Sequence, residues 1–166
     1  MDFVHRDIKP QNVLLVGGEL RLADFGLVKN LNPSARSVTS APPGTPIYRA
    51  PEQEKGEEVL KPADVYSLGI VLMELVTGTR PEPKIDATEG STLDQYRNTR
   101  KLPGHLQQQN ANLLKLPQEL RQLIYRCTNV LPERRPPHAG ALLEEFETVI
   151  ACLTHLPCSD EPVRRP

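Results

Sequence analysis

Four polar residues near the start of the chain, Asp7, Lys9, Asn12 and Asp24, are of types and at spacings that could perform chemistry together. The amide oxygen of Asn12 beside the carboxylate of Asp24 makes a hard-oxygen pair suited to Mg²⁺, which takes few protein ligands and completes its shell with phosphate or water oxygens. Asp7 lies five residues before Asn12, near enough to face the same point, and its carboxylate can accept a proton. Lys9 places a fixed positive charge beside it. A proton acceptor, a cation to neutralise developing phosphate charge and two metal-binding oxygens are the parts that phosphoryl transfer requires. Taken singly, the same residues have plainer uses, Asp7 as a helix cap and Asn12 as a turn residue.

These groups can meet only if the chain folds back between them. Val13 to Val16 is β-prone, Gly17-Gly18 supplies the positive φ angles of a two-residue hairpin turn, and Glu19 to Ala23 returns with Leu20 and Leu22 alternating. Asn12 begins one strand and Asp24 ends the other, so a tight turn brings them side by side. Residues 27–50, rich in Asn, Pro, Ser and Thr, predict a long loop. Pro62 fits the first turn of a helix. The run Val65, Leu68, Ile70, Val71, Leu72, Met73, Leu75 and Val76 is apolar on nearly every face, which predicts a helix through the middle of the fold, ended by Gly78.

Residues 79–112 are polar and irregular, with a short helix expected around Leu93 to Lys101. Two amphipathic helices follow. One carries Leu120, Leu123, Ile124, Cys127 and Leu131 after Pro117, and the other carries Leu142, Leu143, Phe146, Val149, Ile150 and Leu153. The architecture is therefore mainly α, with one early hairpin.

The 166 residues suffice for one domain with a real core. Twenty basic and 21 acidic side chains nearly cancel, so no global field argues for nucleic acid or an anionic membrane. The three cysteines form no Cys-x-x-Cys pair. That suggests neither a zinc site nor a disulfide framework, and reduced thiols point to a cytoplasmic setting. The longest apolar run, Leu68 to Leu75, is too short to span a bilayer. His105, His138 and His155 have no metal-like spacing.

The opening residues also carry a resemblance. His5-Arg6-Asp7, Lys9 and Asn12 match the catalytic loop of eukaryotic-type protein kinases, His-Arg-Asp followed by four residues and Asn. Asp24-Phe25-Gly26 matches their magnesium-binding Asp-Phe-Gly, and Ala50-Pro51-Glu52 matches the Ala-Pro-Glu that closes the activation segment. Lys9 and "GTPIYRAPE" at 44–52 resemble the serine/threonine branch. The likeness continues through "DVYSLGIVLMEL" to "RRPP", over roughly residues 3–153.

The resemblance implies an α+β family fold, here its mainly helical C-terminal lobe with a small β-hairpin and a central buried helix. Residues 1–156 would form a partial kinase domain and 157–166 a disordered tail. It further implies transfer of the ATP γ-phosphate to serine or threonine hydroxyls of a protein substrate, with ATP and Mg²⁺ as cofactors. Asp7 would orient and deprotonate the hydroxyl, Lys9 would contact the γ-phosphate, and Asn12 and Asp24 would hold Mg²⁺. Thr45 would bridge towards Asp7 and Lys9. Asp64 would hydrogen-bond the backbone at His5 and Arg6. Glu52 would pair with Arg135, which directly precedes Pro136, or with Arg134. Phe25 and Gly26 complete the metal-binding motif. Arg6 could pair with a phosphate on Ser34, Ser37, Thr39 or Ser40.

No G-x-G-x-x-G occurs in the sequence. The phosphate-covering loop, the strand lysine and the helix glutamate of the family belong to an N-terminal lobe that would precede the catalytic loop. The expectation is accordingly a lobe whose N-terminal counterpart is absent, with little or no activity by itself and apolar surface left uncovered. Its partners would be a kinase N-terminal lobe or a regulatory protein. The other readings are a non-catalytic binding module and a non-functional truncated product.

Overall fold

A computed structural model describes residues 3–25, 29–30, 46–79 and 112–155. The hairpin forms from β2 (Val13–Val16) and β3 (Glu19–Leu22), antiparallel in the register Val13 to Leu22 and Val16 to Glu19. Gly17 and Gly18 take φ of 61° and 85°, a left-handed conformation that glycine adopts freely and that strains residues with a Cβ. This places the turn where the two glycines stand. A shorter ribbon pairs β1 (Phe3–Val4) with β4 (Lys29–Asn30).

Four α-helices complete the described part: α1 (Pro51–Lys55), α2 (Pro62–Thr77), α3 (Gln118–Cys127) and α4 (Ala139–His155). Proline occupies the first turn of α2, and Gly78 ends it with φ 65°, its N–H returning to the Glu74 carbonyl. The helix packs on α3, α4 and the 3₁₀ turn Pro46–Tyr48. It feeds two apolar clusters. Tyr66, Ile70 and Met73 meet Val4, Tyr48, Leu113 and Ile124, while Val65 meets Leu123, Cys127 and Leu142. The central position expected of this helix follows from these two buried sides, although Leu75 stands 74% exposed.

Several expectations need correction. The stretch read as a loop, 27–50, contains β4 and the turn Pro46–Tyr48. Strand pairing with β1 is a long-range event that a two-residue strand does not announce by alternation. Leu131 lies beyond the end of α3 and is exposed. Leu143 and Ile150 are also exposed. They are seven residues apart, on one line of α4 beside the buried one, so the apolar stripe is wider than the face the helix packs. The expected helix around Leu93 to Lys101, the tail from Pro157 and Cys158 lie outside the described residues.

At Gly69 the helix α2 lies close against the end of α3. A Cβ there would stand 2.6 Å from Cys127 Cβ and 3.0 Å from Thr128 Cγ2. Alanine gains about 1 kcal/mol of helix propensity over glycine, but overpacking against backbone-anchored atoms costs about 1–3 kcal/mol. The contact outweighs the propensity because Cys127 cannot yield without moving α3. Gly69→Ala is expected to lower the unfolding free energy by about 1–2 kcal/mol; an unchanged urea midpoint would refute this close packing. Burial, reinforced by the nearby Glu145 carboxylate, pushes the Cys127 thiol up to about 12, so this cysteine is an inert core residue. Among the described residues no helix is long and apolar enough to cross a membrane.

Candidate active site

The loop between β1 and β2 carries the first three polar residues. Lys9 Nζ donates to Asp7 Oδ2 at 2.7 Å. The Asn12 amide nitrogen donates to the same oxygen at 3.1 Å and to the Asp7 carbonyl at 2.8 Å. A 3₁₀ turn over Pro10–Asn12 makes this possible, since it closes the chain tightly enough for residue 12 to reach back to residue 7. Asn12 thus ends this turn, just before the strand that it was expected to begin. It is buried, and the Asp7 and Lys9 side chains are only 12% and 16% exposed. The three groups interact largely out of water, where such contacts are stronger.

The hairpin brings the fourth residue back. The Ala23 N–H donates to the Asn12 carbonyl at 2.8 Å, extending the ladder one step past β2 and β3. Asp24 follows with φ 63°, and Arg6 has φ 71°. Among the described residues these are the non-glycine residues in the left-handed region. Each costs on the order of 1–3 kcal/mol and persists only where its surroundings impose it.

At Arg6 those surroundings are visible. Asp64, in the first turn of α2, accepts the His5 N–H at 2.7 Å and the Arg6 N–H at 2.9 Å. Burial pushes the Asp64 carboxyl above its ordinary value, with the two backbone donors pulling the other way. The side-chain amide of Gln53 donates to the Arg6 carbonyl at 2.9 Å. His5 Nδ1 lies 3.4 Å from the Asp7 N–H and Nε2 lies 3.2 Å from the Ala23 carbonyl. One tautomer, with hydrogen on Nε2, satisfies both. The ring also stacks edge-on against Phe25 at 5.3 Å. His5 therefore ties the loop of Asp7 to the stretch just past β3; Asp24 lies two residues beyond the strand it was expected to end, because the strand pairing stops at Leu22.

The segment around Glu52 is anchored to the helices. Both Glu52 oxygens meet Arg135, at 2.6 Å and 2.8 Å, so of the two neighbouring arginines it is Arg135 that turns inward. Tyr48 donates to Glu74 at 2.5 Å and its carbonyl accepts from Ser67 at 2.7 Å. Neither contact nor that of Gln53 was expected from the sequence. For Gln53 a signal existed, because glutamine three residues after a helix N-cap is half of a capping box. Gly26, Ser34, Ser37, Thr39, Ser40 and Thr45 lie outside the described residues.

Asn12 and Asp24 fit a magnesium ion by the chemistry of their donors. Both amide hydrogens of Asn12 point to Asp7, which leaves its oxygen as the remaining acceptor, and the Asp24 carboxylate is exposed. Among the described residues no group of three or more His, Cys, Asp or Glu is disposed to hold a metal. One amide and one carboxylate are nonetheless the sparse oxygen set that Mg²⁺ accepts when phosphates complete its shell.

Comparison with known proteins bears on the family of the chain. The family model described as protein kinase domain matches residues 1–146. The chain is similar to Serine/threonine-protein kinase A of Synechocystis, with 33% identity over 95% of the chain and 30% of the relative. It is similar to a probable serine/threonine-protein kinase of Clostridium acetobutylicum, with 33% identity over 88% of the chain and 21% of the relative. A third relative, Tyrosine-protein kinase MasK of Myxococcus xanthus, is 32% identical over 91% of the chain and 22% of its own length. The chain thus spans less than a third of the length of each of these relatives. The matched family and the convergence of Lys9 and Asn12 on Asp7 lead to one conclusion: the chain belongs to the protein kinase domain family.

Proposed function

We propose that residues 1–156 form the C-terminal, catalytic and magnesium-binding part of a kinase domain. In this reading the full-length natural protein transfers the γ-phosphate of ATP to serine or threonine hydroxyls of protein substrates. The observation that carries it is the meeting of Lys9 and the Asn12 amide on one oxygen of Asp7, at 2.7 Å and 3.1 Å. That leaves Asp7 Oδ1 without a hydrogen bond among the described residues, available to take the proton of an incoming hydroxyl. Lys9 would turn from Asp7 to the transferring phosphate, and Asn12 and Asp24 would hold Mg²⁺. The bound ion would supply charge neutralisation on the phosphate oxygens. The preference for serine and threonine rests on Lys9 and the stretch 44–52. Phosphoamino-acid analysis of a substrate labelled by the full-length protein, with Asp7→Asn as control, tests the whole reading. Phosphotyrosine alone would overturn the choice of hydroxyl, and transfer indifferent to Asp7→Asn would overturn the site.

Arg6 adds a regulatory element to this reading. Its backbone is held by Asp64 and Gln53, while its guanidinium makes no ion pair among the described residues. We propose that it receives a phosphate on Ser34, Ser37, Thr39 or Ser40, through charge-assisted hydrogen bonds. Mass spectrometry of active full-length protein is expected to find one of the four modified, and finding all four bare would remove the idea.

A further inference from the structure

Gln53 stands where the segment ending in Glu52 meets the loop of Asp7. Its side-chain oxygen accepts the Ala50 N–H at 2.9 Å, and its nitrogen donates to the Arg6 carbonyl at 2.9 Å. The first contact helps cap α1, whose N-cap residue, Ala50, has no side-chain acceptor to offer. The second reaches 47 residues back in the sequence. Only one orientation of the amide satisfies both, oxygen towards the N–H and nitrogen towards the carbonyl.

The peptide that Gln53 touches is the one joining Arg6 to Asp7. Its oxygen is held by Gln53 and its N–H faces His5 Nδ1 at 3.4 Å. The preceding peptide is held separately, by Asp64 on the Arg6 N–H. Between these two peptides sits the left-handed Arg6, φ 71°, and the second of them sets the direction in which Asp7 leaves the backbone. The contacts of the Asp7 carboxylate cannot aim it if this plane turns.

We infer that Gln53 is a positioning residue for Asp7. It links the cap of α1 to the orientation of the Arg6–Asp7 peptide, so the end of the activation segment and the proton acceptor are set together. This rests on the kinase reading given above.

Gln53→Glu separates the two contacts. An ionised carboxylate still accepts from Ala50 but turns a lone pair to the Arg6 carbonyl, whereas a protonated carboxyl again accepts on one side and donates on the other. In the full-length protein, Gln53→Glu is expected to lower kcat roughly tenfold to a hundredfold, the scale of small misplacements of a reacting group. KM for ATP should stay within about twofold, since Gln53 touches no group assigned to ATP. The ratio of variant to wild-type kcat should rise as pH falls, because protonation restores the donor. A merely structural role would not give that pH profile. A ratio near one at every pH, or a loss that does not recover on acidification, overturns the inference.

Should the wild-type protein show no phosphotransfer sensitive to Asp7→Asn, the kinase reading fails, and hydrogen exchange then decides the positioning claim by itself. The Asp7 amide should exchange faster in both Gln53→Glu and the near-isosteric Gln53→Met, and equal exchange in either folded variant would count against it.

Discussion

Asp7→Asn in the full-length protein is expected to reduce phosphotransfer by roughly 10²–10⁴-fold in kcat, the usual contribution of a positioned general base. That range corresponds to about 3–5 kcal/mol on the barrier. Two physical effects act together. An amide does not accept the hydroxyl proton at neutral pH. It also disturbs its neighbours, because Asp7 Oδ2 now takes Lys9 at 2.7 Å and Asn12 at 3.1 Å. An amide nitrogen turned that way would face two donors, and an amide oxygen turned that way would carry no charge to hold the lysine. KM for ATP is expected to change much less than kcat, because Asp7 is assigned no phosphate or metal contact. Melting of the variant should remain cooperative, since the surrounding backbone is held by Asp64 and Gln53. A variant that keeps more than a tenth of wild-type kcat would show that Asp7 is not the proton acceptor.

The second large effect concerns stability. Arg135→Met is expected to cost about 3–5 kcal/mol, the typical loss when one partner of a buried ion pair is removed. That is a large share of the 5–15 kcal/mol that usually holds a domain together. Arg135 spends all five of its N–H donors: Nε on the Asn129 carbonyl, Nη1 on Glu52 and the Pro62 carbonyl, Nη2 on Glu52 and the Val130 carbonyl. The guanidinium also lies over the Tyr66 ring at 5.0 Å. Its side chain is fully buried and that of Glu52 is 5% exposed. Removing the arginine strands a carboxylate in the core and takes one donor from each of three backbone carbonyls. Arg135→Lys should lose most of the same stability, because an ammonium cannot present a planar fork to both Glu52 oxygens. Combining Glu52→Leu with Arg135→Met should cost less than the two single changes added together, since no lone charge is then buried. Guanidinium denaturation curves measure all four variants; a loss below 1 kcal/mol for Arg135→Met would show that the pair is peripheral.

The two effects fall on different levels of organisation, and the sequence was informative about them to different degrees. Asp7, Lys9 and Asn12 lie within six residues and Asp24 returns through a two-glycine turn. Chain geometry alone brings Asp7, Lys9 and Asn12 together, so their grouping is legible from spacing, and the turn that returns the chain towards Asn12 is legible from its two glycines. The helices are legible for a similar reason: α3 and α4 each have a local apolar period, and α2 is an apolar run whose ends proline and glycine mark.

Tertiary structure decided the contacts between segments far apart in the chain. Arg134 and Arg135 are chemically alike in the sequence, and only the packing of the segment after α3 against α2 turns one of them 83 residues back to Glu52. The strand β4 exists because β1 is there to pair with it. Leu143 and Ile150 lie outside the core because the neighbours of α4 cover a narrower face than its apolar stripe. Gln53 gains its second partner only when α1 settles beside the left-handed Arg6. Local sequence thus specified the hairpin, the helices α2, α3 and α4 and the cluster of Asp7, Lys9 and Asn12, since these depend on spacing within a few turns of chain. The partners that aim and anchor that cluster depend on which surfaces meet around α2, which is information distributed over the whole fold.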